Sequence, residues 1–379
     1  MEQKKTRLSQ LLADQRVRFV LYLLLLFPLL LRRSITPVNE LKYLQIADEA
    51  LRDGHFWCLF LDGAAYADKP PLYLWIIMAF KRLLGFHCIW LLELFSLLPA
   101  FGILHVFDRW FGAQLRLYWR VLAEAALLTT AYFLGAALVL RMDMLMVWFI
   151  TLAMELFWQL DQGRARPGRQ WLLGLAVFAA IFSKGPVGIL FPLAGSLSWL
   201  LQERRLRNFW RAWGWRAWLV LAVLCGIWWA CVWLEGGRDY LDNLLFHQTV
   251  DRAVNAFHHP RPWYWYLYTV WYAMGPWSLL TIPVSAWGTA RRVGMDPLTR
   301  FGLTISVAFF IMMSCFSAKL QVYLLPMFGF VNYAAFRILQ AAEDGGLRWP
   351  RPVWKASCAL ATLMLVACVV TGFFFPDIF

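Results

Sequence analysis

The chain is 379 residues long, 61% hydrophobic and only 16% charged, with 23 Trp and 30 Phe. A water-soluble domain carries about 25% charged residues, so this composition excludes one and indicates a polytopic helical membrane protein. The formal charge of +13 does not indicate nucleic-acid binding, because Lys and Arg gather in short connectors between apolar runs, as the positive-inside rule distributes them. The apolar runs are continuous rather than alternating, which excludes a membrane β-barrel. The seven cysteines form no Cys-x-x-Cys pair and mostly sit inside apolar runs, so they read as small buried residues and not as a disulfide or zinc framework.

Residues 1–16 are polar and basic, and a Leu-rich stretch follows between Arg18 and Arg32-Arg33 with no small-residue cleavage site. This predicts a first spanning helix with a cytoplasmic N-terminus rather than a removed signal peptide. A first outer loop follows over 34–70. Within it Leu41, Leu44, Ala47 and Leu51 recur at helical spacing, which predicts an amphipathic helix over 38–53 lying on the membrane and stopped at Gly54. Lys42, Asp48, Glu49 and Arg52 would face elsewhere, and Asn39 suits the N-cap of such a helix. The loop ends at Asp68-Lys69-Pro70-Pro71-Leu72, where two prolines fix the turn into the next helix and hold Lys69 at its outer end. The helix over 71–80 has about ten apolar residues, too few to cross, so it is expected along the outer surface.

The basic connectors 109–120, 164–169, 204–216 and 291–300 set the parity of what remains. If all four are cytoplasmic, the apolar runs between them cross in pairs: 121–140 with 142–160, 171–182 with 187–201, 218–234 with 265–287, and 301–316 with 320–339. With 87–106 and the final run 357–375, about eleven crossings follow, or about twelve to thirteen if 71–80 also spans. A second large outer loop is expected over 235–263, and no soluble domain after the last helix. Parity then gathers charge on one side. Asn39, Glu40, Asp68, Lys69, Arg141 and Asp143 fall outside, and so do Lys184, Arg252, His258, His259 and Lys319. Lone interfacial lysines are commonly snorkelling anchors, but charges from so many elements on one face suggest the lining of a cavity open to the outer surface.

In order along the chain, Asn39-Glu40-Leu41-Lys42-Tyr43, Asp68-Lys69-Pro70-Pro71-Leu72, Arg141-Met142-Asp143, Ser183-Lys184-Gly185-Pro186 and Lys319-Leu320-Gln321-Val322-Tyr323 resemble the motifs of the GT-C lipid-linked-sugar glycosyltransferases. The branch is that of the lipid A aminoarabinose transferases and the protein O-mannosyltransferases. The resemblance implies an all-α GT-C membrane bundle that moves a sugar from a polyprenyl phosphate carrier to a lipid or glycan acceptor at the outer face. It implies that Lys69 lies near the lipid phosphate, with Tyr43, Arg141, Lys184, Arg252, Lys319 and Tyr323 as further substrate contacts. It also implies that Asp143 orients Lys69 or the donor sugar, and that Asp68 with His258 or His259 has a precedent as a divalent-metal site. The chain departs from the pattern at one point. Asn39 stands where the family has Asp, and an amide cannot serve as a general base. Glu40 is the expected substitute; otherwise Asn39 orients an acceptor that needs little deprotonation, or the protein is a degenerate relative. A transporter or flippase and a non-catalytic membrane protein are the alternatives from other classes.

Overall fold

A computed structural model describes residues 7–33, 35–36, 40–245 and 260–374. They form an integral membrane bundle of helices, with one two-residue hairpin, Phe60–Leu61 against Ala64–Ala65. The helices in chain order are α1 (Arg7–Ala13), α2 (Gln15–Arg32), α3 (Lys42–Asp53), α4 (Leu72–Leu84), α5 (Ile89–Trp110) and α6 (Leu117–Leu128). There follow α7 (Ala131–Leu138), α8 (Asp143–Asp161), α9 (Arg169–Lys184), α10 (Val187–Gln202), α11 (Phe209–Ala212) and α12 (Trp215–Asp242). The last are α13 (Trp265–Ala273), α14 (Ser278–Arg291), α15 (Pro297–Cys315), α16 (Leu325–Asp344) and α17 (Pro350–Phe374).

Among the described residues, five helices are long and apolar enough to cross a bilayer unaided, and α6 with α7 makes a sixth as a pair bent by 65°. Of the remaining expected crossings, the first and last fall on the continuous helices α2 and α17, and the others are shorter or interrupted helices. The run 265–287 is one such case, divided into α13 and α14 at Met274–Trp277. The bend between α6 and α7 falls at Thr129-Thr130, whose hydroxyls donate back to the carbonyls of Ala125 and Ala126, a pairing that bends helices. The two interruptions face each other. Ala131 N–H donates to the Gly275 carbonyl at 2.8 Å, and Trp277 Nε1 donates to the Thr129 hydroxyl at 2.8 Å. Irregular backbone at membrane depth is tolerated where protein satisfies it, and here each break satisfies the other.

Helix α16 is the axis of the bundle, buried along nearly its whole length. A Cβ at Gly329 would overlap the Phe107 ring, so only glycine lets α16 lie this close to α5. The acids within apolar runs are all paired. Arg18 holds Glu124 at 2.8 Å and Asp108 at 3.3 Å, and Arg109 holds Glu155 at 2.8 Å. Such pairing is what allows ionised groups at membrane depth.

The first outer loop differs from expectation in register. The buried face of α3 is Tyr43, Leu44, Ile46, Ala47 and Ala50, while Leu41 is half exposed. Helix α3 packs on α4, so its apolar stripe follows α4. Glu49, expected to face away, is buried because it accepts the Gly63 N–H of the hairpin at 2.8 Å. The second outer loop also starts later than expected, since α12 continues past a break at Gly237 to Asp242.

Candidate functional site

The segment 56–66 is fastened to the end of α12. The Glu235 carboxylate accepts the consecutive N–H groups of Phe56, Trp57 and Cys58 at 2.9–3.1 Å. The Tyr240 hydroxyl accepts the Leu59 N–H at 2.9 Å and donates to the Tyr66 carbonyl at 3.1 Å. This rim carries Asp68 and Lys69 to the mouth of the bundle, and Pro71 as the cap of α4 fixes where the chain re-enters it.

Beneath the rim, Asp143 opens α8 with no exposure to solvent. Lys184, the last residue of α9, binds one carboxylate oxygen, and Arg141 Nε lies 3.0 Å from the other. Gly185, directly after Lys184, has φ of 98°, a conformation open to glycine but strained for other residues, so the Lys-Gly-Pro sequence ends α9 with the ammonium turned inward. The ammonium also sits 5.0 Å from the Tyr323 ring centre, within cation–π range. Lys69 pairs with Asp68 at 3.1 Å, and its charge acts on both Asp143 and Lys184. Tyr43 is surrounded by Arg141, Asp143, Asp68 and Tyr323; burial, the dominant influence, drives its phenol above the ordinary range, so it remains a donor.

Seven of the residues expected at the site thus lie in one charged cluster: Tyr43, Asp68, Lys69, Arg141, Asp143, Lys184 and Tyr323. Three cations face two carboxylates. Asp143 and Lys184 are almost wholly enclosed, whereas the side chains of Lys69 (15% exposed) and Arg141 (26% exposed) reach solvent. Asp143 therefore holds Arg141 and Lys184, while Lys69 and Arg141 are the cations of the cluster that stay partly open to solvent. The cluster has one more cation than carboxylate, a balance that suits an anion.

Glu40 has a different place from the one expected of a general base. It is buried, and both its oxygens are taken. Arg33 donates to each at 2.7 Å, while the N–H groups of Thr36 and Leu140 add contacts of 2.8 and 2.6 Å. Burial works against the charge, but the Arg33 guanidinium and the two N–H groups outweigh it and hold the carboxyl below its usual range. A carboxylate so committed has little basicity and no free lone pair for a substrate. The backbone is irregular at this point, as both Glu40 N–H (3.0 Å) and Leu41 N–H (3.5 Å) donate to the Thr36 carbonyl in a single widened turn.

Lys319 is also placed otherwise than expected. It is 2% exposed, and its ammonium donates to the carbonyls of Arg261 (3.1 Å) and Phe316. With the Pro260–Ala318 bridge, it ties the entry of α13 to the end of α15. Asn39, Arg252, His258 and His259 lie outside the described residues. Asp68 is the one member of the expected metal set that is described, and it already holds Lys69 and the Tyr66 hydroxyl. No cluster of three His, Cys, Asp or Glu side chains occurs among the described residues. The described donors do not by themselves fit a metal ion.

Sequence reasoning missed the framework behind the pocket. Arg33 joins Glu40 to Glu93, and Ser96 accepts the Arg141 N–H at 3.4 Å while donating to the Arg141 carbonyl at 3.0 Å. The available signal was Glu93 inside an apolar run, since a lone acid there requires a cation and Arg33 is the nearest at that end.

No protein-family model matches the chain. Among curated proteins, it is 29% identical over 321 residues to undecaprenyl phosphate-alpha-4-amino-4-deoxy-L-arabinose arabinosyl transferase 1 of Pseudomonas fluorescens, covering 81% of this chain and 54% of that one. The corresponding transferase of Edwardsiella ictaluri is 26% identical over 318 residues, covering 82% of this chain and 56% of that one. The chain spans about half the length of the curated relatives it matches. Among solved structures, ArnT from Cupriavidus metallidurans bound to undecaprenyl phosphate superposes with a TM-score of 0.72 at 21% identity, covering 86% of this chain and 60% of that one. The apo form of the same protein gives 0.70. The fold is therefore the polytopic GT-C membrane fold, matched over 86% of the chain.

Proposed function

We propose that this chain carries the membrane core of a glycosyltransferase that moves a sugar, in the manner of the aminoarabinose transferases it resembles, from a polyprenyl phosphate carrier to a lipid or glycan acceptor. The observation that carries the reading is the pocket in which Lys69, Arg141 and Lys184 outnumber Asp68 and Asp143 at the outer end of the bundle. Transfer breaks the bond between the anomeric carbon and the carrier phosphate oxygen, and the electron pair stays on the phosphate. Lys69 and Arg141 would stabilise that developing charge, with Lys184 and Asp143 holding Arg141 in place. Neither Asn39 nor the committed Glu40 supplies a base. This favours an acceptor oxygen that is already ionised, such as a phosphate, which attacks without giving up a proton. A divalent cation between Asp68 and His258 or His259 is a further proposal, resting on the position of Asp68 beside Lys69; loss of donor binding on chelation would support it. A transport cycle finds no support in the intramembrane acids, since Glu93, Glu124 and Glu155 are each neutralised by an arginine.

The test is purified protein in liposomes given undecaprenyl phosphate-linked sugars and lipid A, with products read by mass spectrometry. Sugar appearing on the acceptor with release of undecaprenyl phosphate is the expected result; inactivity against every lipid-linked sugar would favour a non-catalytic relative.

The same reading puts the pocket on the periplasmic side of a bacterial inner membrane. Cysteine introduced at exposed Ala64, after removal of the native cysteines, should react with an impermeant thiol reagent in intact cells. Cysteine at exposed Arg166, in a basic connector, should react only after permeabilisation. The reverse pattern would invert the topology and move the pocket to the cytoplasm.

A further inference from the structure

At the opposite end of the bundle from Asp143 lies a cavity of about 630 Å³, within the usual range of ligand pockets of roughly 300–1,000 Å³. Helix α8 separates the two: Asp143 begins it, while Glu155 and Gln159 near its far end line this cavity, about 18 and 24 Å along the helix axis from Asp143. Arg109, Arg164 and Arg169 converge on the cavity from the ends of α5, α8 and α9.

Charge inside it is unbalanced. Two carboxylates line the wall, but each is already satisfied. Glu155 accepts from Arg109 at 2.8 Å and from Gln159 at 3.0 Å, and Asp296 pairs with Arg337 at 2.9 Å while capping α15 through Leu298 N–H at 3.0 Å. Arg164 has no side-chain partner among the described residues, and Arg169 meets only the amide oxygen of Gln159. Trp110 adds a buried indole N–H with no acceptor among the described residues. Arginines that serve only to orient a membrane protein need not share a cavity, nor need the acids beside them be cancelled by other groups. These do and are.

We propose that this cavity is a second anion site, separate from the transfer pocket, that takes a phosphate group at the basic end of the bundle: the headgroup of an anionic glycerophospholipid, or free phosphate. Basic pockets between helix ends at the basic face of a membrane protein suit such headgroups. Two guanidinium forks provide bidentate donors for phosphate oxygens. The proposal does not depend on the transfer chemistry.

The test compares the full-length protein with the Arg164→Gln/Arg169→Gln double variant, both in neutral detergent. Each is titrated with phosphatidylglycerol, phosphatidylcholine or inorganic phosphate, with thermal midpoint and native mass spectrometry as readouts. The parent should retain phosphatidylglycerol over phosphatidylcholine and melt several degrees higher with it, and the double variant should bind it about tenfold or more weakly. A shift with inorganic phosphate at millimolar concentration would assign the site to free phosphate, whereas a shift with the lipid alone assigns it to a headgroup. Arg291→Gln/Arg292→Gln, which removes two arginines that do not line the cavity, should bind as the parent does. Should the double variant fail to fold, Arg164→Gln alone, which breaks no contact among the described residues, serves in its place. Equal binding by parent and variant, or no response of the parent to either probe, overturns the proposal.

Discussion

Glu40→Ala protein should be less stable than the parent by about 3–5 kcal/mol, the usual consequence of removing one partner from a buried ion pair. The reason is geometric. Glu40 receives Arg33 at both oxygens and two backbone N–H groups, so its loss strands the guanidinium beside Glu93 and frees the Leu140 N–H at the junction of α7 and α8. Leu140 lies next to Arg141, so the defect should carry into the pocket and lower donor affinity as well as stability. Thermal melting in detergent gives the first quantity and donor binding the second. The pH dependence has a definite sign. Because the folded carboxyl is held below its ordinary value, its stabilisation is complete above the unfolded value of about 4.3 and is lost as pH falls through the folded value. The stability difference between the parent and Glu40→Gln should accordingly shrink in acid. A Glu40→Gln protein as stable as the parent at neutral pH, yet devoid of transfer activity, would return Glu40 to the role of a proton acceptor.

Lys69→Ala should lower kcat/KM for transfer by about 10- to 100-fold, since a charge-assisted contact to phosphate contributes about 1.5–3 kcal/mol. The pocket count sharpens this expectation. With Lys69 removed, Arg141 and Lys184 are merely balanced by Asp68 and Asp143, and the net attraction for an anion disappears. Lys69→Arg should recover part of the activity, because charge is retained while geometry changes. Stability should change little, as Lys69 has only Asp68, at 3.1 Å, as a charged contact among the described residues. Parental turnover by the purified variant would remove this lysine from the site.

The class of fold was legible because apolar runs of membrane-spanning length leave few other outcomes for a chain of this composition. The interruptions were not, since 121–140 and 265–287 each read as one long, predominantly apolar run and a hydropathy pattern does not see a bend. Thr129-Thr130 and Gly275-Pro276 were the residues that could have disclosed them. For the site, parity of the basic connectors was enough to bring Lys69, Asp143 and Lys184 to one end. It could not say which charges pair. Glu40 finds a cation 7 positions away and an amide 100 positions away, and Arg33 reaches Glu93 across 60. Those choices depend on helix packing, and they separated Glu40 and Lys319, which serve the framework, from Lys69 and Arg141, which face the solvent.

The two facing breaks also bear on how the protein is made. The Trp277 indole that reaches Thr129 is 148 positions later in the chain, and the Gly275 carbonyl that accepts the Ala131 N–H is close beside it. At about 5–20 residues per second, a ribosome needs roughly 7 to 30 seconds to supply them. During that interval the bent α6–α7 pair has an unmet N–H at membrane depth, a state the hydrocarbon tolerates poorly. The early helices must then wait in a wetter setting, at the interface or within the insertion machinery, until the later hairpin arrives to close them. Insertion of this bundle is thus a joint act of its two halves, and a truncation before Trp265 should leave α6 and α7 without a settled position in the membrane.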